Sequence, residues 1–158
     1  MVRIIGIDPA LTKSGWGIVE VSGNSFKYIA SGTIKTDAKA DMANRLHHIH
    51  KELISAIQFY KPDIASIEET FVNKNPVSSL KLGHARGAIM LCLTICDIKV
   101  FEYSATSIKK SVTGVGRAEK QQVEAMINIL LPKNKSTSED ESDALAAAIC
   151  HANNQPNY

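Results

Sequence analysis

Apolar residues recur along this chain in two rhythms, and the changes of rhythm divide it into elements. Ile4, Ile5 and Ile7 make a short run of β-branched residues, the composition of a buried strand. Asp8-Pro9 ends the run, because proline cannot carry the ladder on. Ser14 to Val21 reads as a second strand, Ser22-Gly23-Asn24 as a hairpin turn, and Phe26 to Thr36 as a third strand bulged near Gly32. From Asp41 the period becomes helical: Met42, Leu46, Ile49, Leu53, Ile57 and Tyr60 draw one stripe, and Pro62 stops it. Ile64 to Glu68 is a fourth, short strand that ends in a carboxylate as the first one does.

Beyond it Pro76 opens a long helix at its favoured first position. Gly83 and Gly87 would let another backbone approach this helix. After Gly87 it is apolar nearly all round, which predicts either a place deep in the core or a partner subunit. Ile98 to Tyr103 reads as a fifth strand, and Ser104 caps a short helix ending near Gly114. A helix starting near Lys120 buries Val123, Met126, Ile127 and Leu130. Pro132 to Ser138 is a polar linker, and Glu139 to Ala152 is the last helix. The pattern predicts one α/β domain over residues 1–152 and a frayed, flexible tail over 153–158.

Composition changes this picture little. At 158 residues, 44% hydrophobic and 22% charged, the chain is ordinary for a globular protein. It shows no signal peptide and no run long enough to span a bilayer, so no membrane association is expected. Cys92, Cys96 and Cys150 are odd in number and lack zinc-ligand pairing, so they read as buried free thiols of a cytoplasmic protein. The net charge of +2 is uninformative, but its distribution is not. Residues 72–120 carry eight basic and three acidic side chains, between segments rich in acids. Those eight, Lys74, Lys81, Arg86, Lys99, Lys109, Lys110, Arg117 and Lys120, suit a polyanion-binding face.

Four acids supply the chemistry. Asp8 and Glu68 each end a strand, and Asp140 and Asp143, three apart, project from one face of the last helix's first turn. Glu139 and Glu141, beside them, read as acids that suit the helix dipole. If the four gather, their repulsion calls for a cation, and all-oxygen ligation selects Mg²⁺, with Mn²⁺ as substitute, over Zn²⁺. Two ions, with Asp8 bridging them, would hold a scissile phosphate between them. His47, His48 and His50 fan around their helix and read as a solvated face. Gly114 and Gly116 before Arg117 and Lys120 suggest a phosphate-binding turn, and Phe71, alone in the polar loop Thr70–Asn75, suggests an exposed wedge that stacks on bases.

These residues stand in an order that resembles the ribonuclease-H-like fold and, within it, the RuvC family of crossover junction endodeoxyribonucleases. The motifs carrying the resemblance are Gly-Ile-Asp-Pro at 6–9, Ile-Glu-Glu-Thr-Phe at 67–71 and Leu-Lys-Leu-Gly-His-Ala-Arg-Gly at 80–87. Val-Phe-Glu-Tyr at 100–103, Ala-Glu-Lys at 118–120 and Asp-x-x-Asp-Ala-Leu at 140–145 continue it, so it spans roughly residues 3–152. The resemblance implies a five-stranded mixed sheet, with three antiparallel strands followed by α-β-α-β and closing helices. It also implies paired metal-dependent incision of Holliday junctions, leaving 5′-phosphate and 3′-hydroxyl ends, in DNA recombination and repair. Lys109 and Lys120 match positions of the family that contact backbone phosphate, and Lys120 would steady transition-state charge. A homodimer and a branch-migration helicase complex are the implied partners. Ala10 stands where the family usually has glycine, which would strain the Pro9–Gly15 loop if φ there were positive. A non-catalytic junction-binding module and a related nuclease acting on RNA remain as alternatives.

Overall fold

A computed structural model describes residues 1–69 and 74–155. Five strands, β1 (Val2–Asp8), β2 (Lys13–Ser22), β3 (Ser25–Lys35), β4 (Ile64–Glu68) and β5 (Lys99–Tyr103), form one sheet in the order β3-β2-β1-β4-β5. β1, β2 and β3 pair antiparallel, and β1, β4 and β5 pair parallel. This is the mixed sheet expected above, with the first strand at its centre. Five helices complete the fold: α1 (Met42–Tyr60), α2 (Pro76–Ile95), α3 (Ala105–Thr113), α4 (Lys120–Leu130) and α5 (Glu139–Asn154).

Strand alternation sends successive side chains to opposite faces and so builds two cores. Ile5 and Ile7 of β1 and Ala65 and Ile67 of β4 pack with Ile49 and Leu53 of α1 and Ile89 and Leu93 of α2. Ile4, Val19 and Val21 face the other way, against α3, α4 and the almost wholly buried α5. α1 is capped by Asp41 and ends on Lys61 in the left-handed region, just before Pro62. Asn75 caps α2 with Pro76 in its first turn, and Ser104 and Ser138 cap α3 and α5.

Three local expectations change. The irregularity between β2 and β3 lies where Ile18 and Val19 pair with Ala30 and Tyr28, which leaves Ile29, not Gly32, as the extra residue. Gly32 is small for a different reason, since a Cβ there would come 2.7 Å from the Trp16 ring. Asn153 and Asn154 are the last turn of α5 rather than tail, and Asn153 donates to the Ser111 carbonyl at 3.2 Å. Ala10 carries no strain, because Lys61 and Asp97 are the non-glycine residues with positive φ among those described. Its N–H instead donates to Ser14 Oγ at 3.1 Å, which holds the loop. Cys92 and Cys150 are buried free thiols and Cys96 is a half-buried one.

Candidate active site

Sheet register brings the first two acids together. β1 and β4 pair in parallel with Gly6 opposite Ser66 and Ile7 opposite Ile67, so Asp8 and Glu68 finish neighbouring strands at the same level. Adjacent strands lie about 4.8 Å apart. Alternation points both carboxylates to the α5 side, since Ser66, two residues before Glu68, donates to the Ala147 carbonyl of α5 at 2.6 Å.

Glycines let α5 descend onto that face. Gly6 and Gly17 are cross-strand partners, and Gly15 pairs with Asp8. A Cβ on Gly6 would lie 1.8 Å from the Ala144 carbonyl oxygen, and one on Gly15 would lie 2.0 Å from the Asp140 carbonyl oxygen. At Gly17 it would meet the Leu145 side chain at 2.6 Å. The helix backbone therefore rests on the backbone of β1 and β2, and its first turn carries Asp140 and Asp143 to the strand ends. Glu141, between them, turns the other way and is only 5% exposed. It accepts hydrogen bonds from Ser31 Oγ (2.6 Å), Thr137 Oγ1 (3.1 Å), Thr33 Oγ1 (3.3 Å) and Ser138 Oγ (3.3 Å). Burial raises its pKa, but these donors outweigh it and hold the group below the usual glutamate value. Glu141 thus pins the start of α5 to β3, a role beyond the dipole.

Asp8, Glu68, Asp143, Lys109 and Lys120 line a cleft of about 270 Å³ whose floor includes Ile108 and Val123. Burial, then repulsion by Asp143, Glu68 and Asp140, pushes Asp8 from 3.8 up to about 7, against the opposing pull of Lys120. Burial raises Glu68 and Asp143 as well, while Lys109 and Lys120 draw both back down. Asp140 does not line the cleft. It pairs with Lys13 at 3.0 Å, and Lys120 pairs with Glu139 at 3.2 Å. Consistent with that, no group of three or more His, Cys, Asp or Glu side chains among the described residues is already drawn in as a metal shell. Three of the four acids thus line the cleft, and Asp140 lies at its edge, paired with Lys13 yet close enough to raise Asp8 and Asp143. The donor set is still all oxygen, and its mutual repulsion is what a hard divalent cation relieves.

The other basic residues disperse. Lys74, Lys81, Lys110 and Arg117 are exposed, and Lys110 lines a different hollow with Ser111 and Asn153. Arg86 is turned inward, where it donates to the Glu68 carbonyl at 2.9 Å and pairs with Glu102. It therefore buttresses the strand end that bears Glu68. Gly114 and Gly116 shape their turn: Gly114 caps α3 at φ 81°, and a Cβ on Gly116 would meet Thr106 at 2.8 Å. Of the three histidines expected on a solvated face, His47 and His48 are exposed and His50 is half-buried. Phe71 lies outside the described residues. Sequence reasoning passed over Lys13 and read Glu141 only as an acid suiting the helix dipole, because the partners of both become neighbours only once α5 is seated. The glycines at 6, 15 and 17 were the available signal for that seating.

The family model described as Crossover junction endodeoxyribonuclease RuvC matches residues 4–151. A crossover junction endodeoxyribonuclease RuvC of Rhizobium johnstonii is 50% identical over 154 residues, covering 98% of this chain and 91% of that protein. The one of Sinorhizobium medicae is 48% identical over 155 residues, 98% and 93% of the two chains. Among solved structures, Thermus thermophilus RuvC in complex with a Holliday junction substrate superposes with a TM-score of 0.92 at 26% identity, covering 99% and 96%. The yeast mitochondrial Holliday junction resolvase Ydc2, at 10% identity and TM-score 0.70 over 96% and 78%, shares the fold. By sequence over nearly its whole length and by architecture, this chain belongs to the RuvC family of crossover junction endodeoxyribonucleases.

Proposed function

We propose that this protein is a metal-dependent endonuclease that resolves four-way DNA junctions by paired phosphodiester hydrolysis. The observation that carries this reading is the convergence of Asp8, Glu68 and Asp143 with Lys109 and Lys120 in one cleft. The similarity to Thermus thermophilus RuvC, solved with a Holliday junction substrate, supports the same conclusion. Asp8, Glu68 and Asp143 would hold two Mg²⁺ or Mn²⁺ ions, with Asp140 joining them by leaving Lys13. When bound, such ions supply Lewis-acid polarisation of the phosphodiester and acidify the attacking water, giving 5′-phosphate and 3′-hydroxyl ends.

The chain's own side chains do the rest. Lys109 and Lys120 bind the backbone phosphate at the cleft, and Lys120 also offsets developing charge. Arg86 keeps Glu68 in place through its main chain. Phe71, by its sequence setting, supplies the base-stacking group, and the exposed Lys74, Lys81, Lys110 and Arg117 extend the basic surface.

Paired incision needs two sites, and α2 supports a two-fold dimer. Val77, Leu80, Leu91 and Ile95 are each more than half exposed along one face of α2, and a Cβ on Gly87 of that face would meet nothing within 4 Å among the described residues. A branch-migration helicase is the natural partner of such a dimer. Free thiols suit a cytoplasmic setting, and no helix among the described residues is long and apolar enough to cross a membrane.

Incubation with a synthetic mobile four-way junction, with and without Mg²⁺, tests the proposal. The expected products are symmetric nicks that ligase reseals. A protein that binds the junction yet leaves it intact in both Mg²⁺ and Mn²⁺ would overturn it in favour of a non-catalytic module.

A further inference from the structure

A second cavity, of about 460 Å³, opens beside Pro9–Thr12, the loop that leads straight out of Asp8. Thr12, Arg45, Ser78, Ser79 and Lys81 line it, and no acid does. Arg45 is the unusual member, an arginine on α1 that is only 8% exposed as a residue. Its Nε donates to Thr36 Oγ1 at 2.9 Å and its Nη2 to Thr12 Oγ1 at 3.2 Å. Its Nη1 makes no hydrogen bond to a described residue, and the side chain borders the cavity.

No carboxylate among the described residues pairs with this cation, although two acids are close in sequence. Asp41 is spent on Asn44, accepting from its N–H at 2.9 Å and its side-chain amide at 2.6 Å. Asp37 accepts from the Lys39 N–H at 2.9 Å. A guanidinium is not deprotonated in proteins, and burying one without a counter-charge is costly. The missing negative charge is then to be expected from a ligand. The planar fork of arginine suits a phosphate oxyanion, and Lys81, exposed at the same rim, adds a second cation.

We propose that this cavity binds a phosphate oxyanion, supplied by the phosphodiester backbone of the strand that lies in the Asp8 cleft. This rests on the reading under Proposed function. The shared loop is the reason for choosing the strand over free phosphate. Pro9 to Thr12 border this cavity and Asp8 lines the other, so a strand crossing the loop meets both. Arg45 would hold the loop through Thr12 and Thr36 and bind the phosphate with its remaining edge.

The test is the salt dependence of binding to a fluorescent four-way junction without divalent metal. Wild type, Lys81→Gln, Arg45→Lys and the double variant are compared, each with a thermal melt. Each neutralised phosphate contributes about 0.9 to the slope of log affinity against log salt. Lys81→Gln should therefore lessen the loss of affinity between about 50 and 200 mM salt by about 3.5-fold. Arg45→Lys keeps the charge but loses the fork, so it should bind more weakly at an unchanged slope. If the two share one phosphate, the double variant loses less affinity than the product of the single losses.

An unchanged slope in Lys81→Gln, or strictly multiplicative losses, overturns the inference even if Arg45→Lys folds poorly. A second arm titrates inorganic phosphate at matched ionic strength. If phosphate raises the melting temperature of wild type but not of Lys81→Gln, while the junction slope stays the same, the site takes free anion and the assignment to the strand fails. Wild-type protein that binds no junction would instead sink the reading under Proposed function, and this inference with it.

Discussion

Replacing Gly6 by alanine should separate folding from catalysis, because the glycine is where α5 and β1 touch backbone to backbone. The added Cβ would lie 1.8 Å from the Ala144 carbonyl oxygen and 2.7 Å from the Ala148 nitrogen. Carbon–oxygen contacts in proteins settle at about 3.3–3.6 Å, so one element must yield by about 1.5 Å. β1 is hydrogen-bonded on both sides, to β2 and β4, and is the stiffer of the two. α5 therefore lifts, and with it Asp140 and Asp143. Overpacking of this kind costs about 1–3 kcal/mol. At about 2–4 °C per kcal/mol, the melting temperature falls by about 2–12 °C and the protein stays folded at 25 °C. Misplacing reacting groups by about 1 Å costs about a hundredfold in rate, so junction cleavage should fall by at least that much while junction binding persists. Gel-shift, cleavage and melting assays on one preparation decide it. A Gly6→Ala protein that melts and cleaves like wild type would show that α5 is not seated on the strand as described.

Four further outcomes are expected. Asp8→Asn should abolish cleavage and leave junction binding nearly intact. It should also raise metal-free stability, because the folded pKa of about 7 lies above the unfolded 3.8. The gain is then largest above pH 7 and vanishes toward pH 4, and pH-dependent melts that show no gain would refute the burial of that charge. Mn²⁺ affinity, by calorimetry in two buffers, should weaken by up to about tenfold per pH unit below about 7, with proton release on binding. A flat profile from pH 6 to 8 would contradict the raised Asp8. His151 is buried against Phe101 and hydrogen-bonded to Tyr103, and burial, then Lys99, lowers its pKa. Stability should therefore drop as pH falls through about 6.5, the ordinary histidine value, and urea midpoints for His151→Phe should lack that component. Leu91→Asp, on the exposed face of α2, should yield a monomer by light scattering that no longer makes paired nicks, and an unaltered mass would refute α2 as the dimer face.

Much of this architecture is written locally. The β-branched run Ile4–Ile7, the helical stripe from Met42 to Tyr60 and the prolines at 62 and 76 each act over a few residues, so periodicity and backbone chemistry locate their elements. Asp8 and Glu68 are legible as strand-end carboxylates, although an Asp before Pro also starts turns, and it is the further acids along the chain that give them a joint use. Their meeting is not local. It follows from pairing Ile7 with Ile67 across sixty residues, which the resemblance supplies and the strand pattern alone does not.

What only the tertiary structure decides are the pairings made by long side chains after packing. Arg86 belongs to the basic block by sequence, yet it turns in to Glu102 and the Glu68 carbonyl, since an internal acceptor lies within reach once α2 covers β4 and β5. Asp140 and Asp143 share a helix face, but Lys13 on the neighbouring strand draws the first aside while the second enters the cleft. Glu141 reads as one more acid at a helix start and proves to be a buried anchor, because its hydroxyl partners Ser31 and Thr33 come from a strand more than a hundred residues away. Arg45 is likewise one polar position beside an apolar stripe until α1 docks and buries most of it with no carboxylate partner among the described residues. Local sequence determines which groups are available, and burial decides which of them keep a charge, lose a partner or find one.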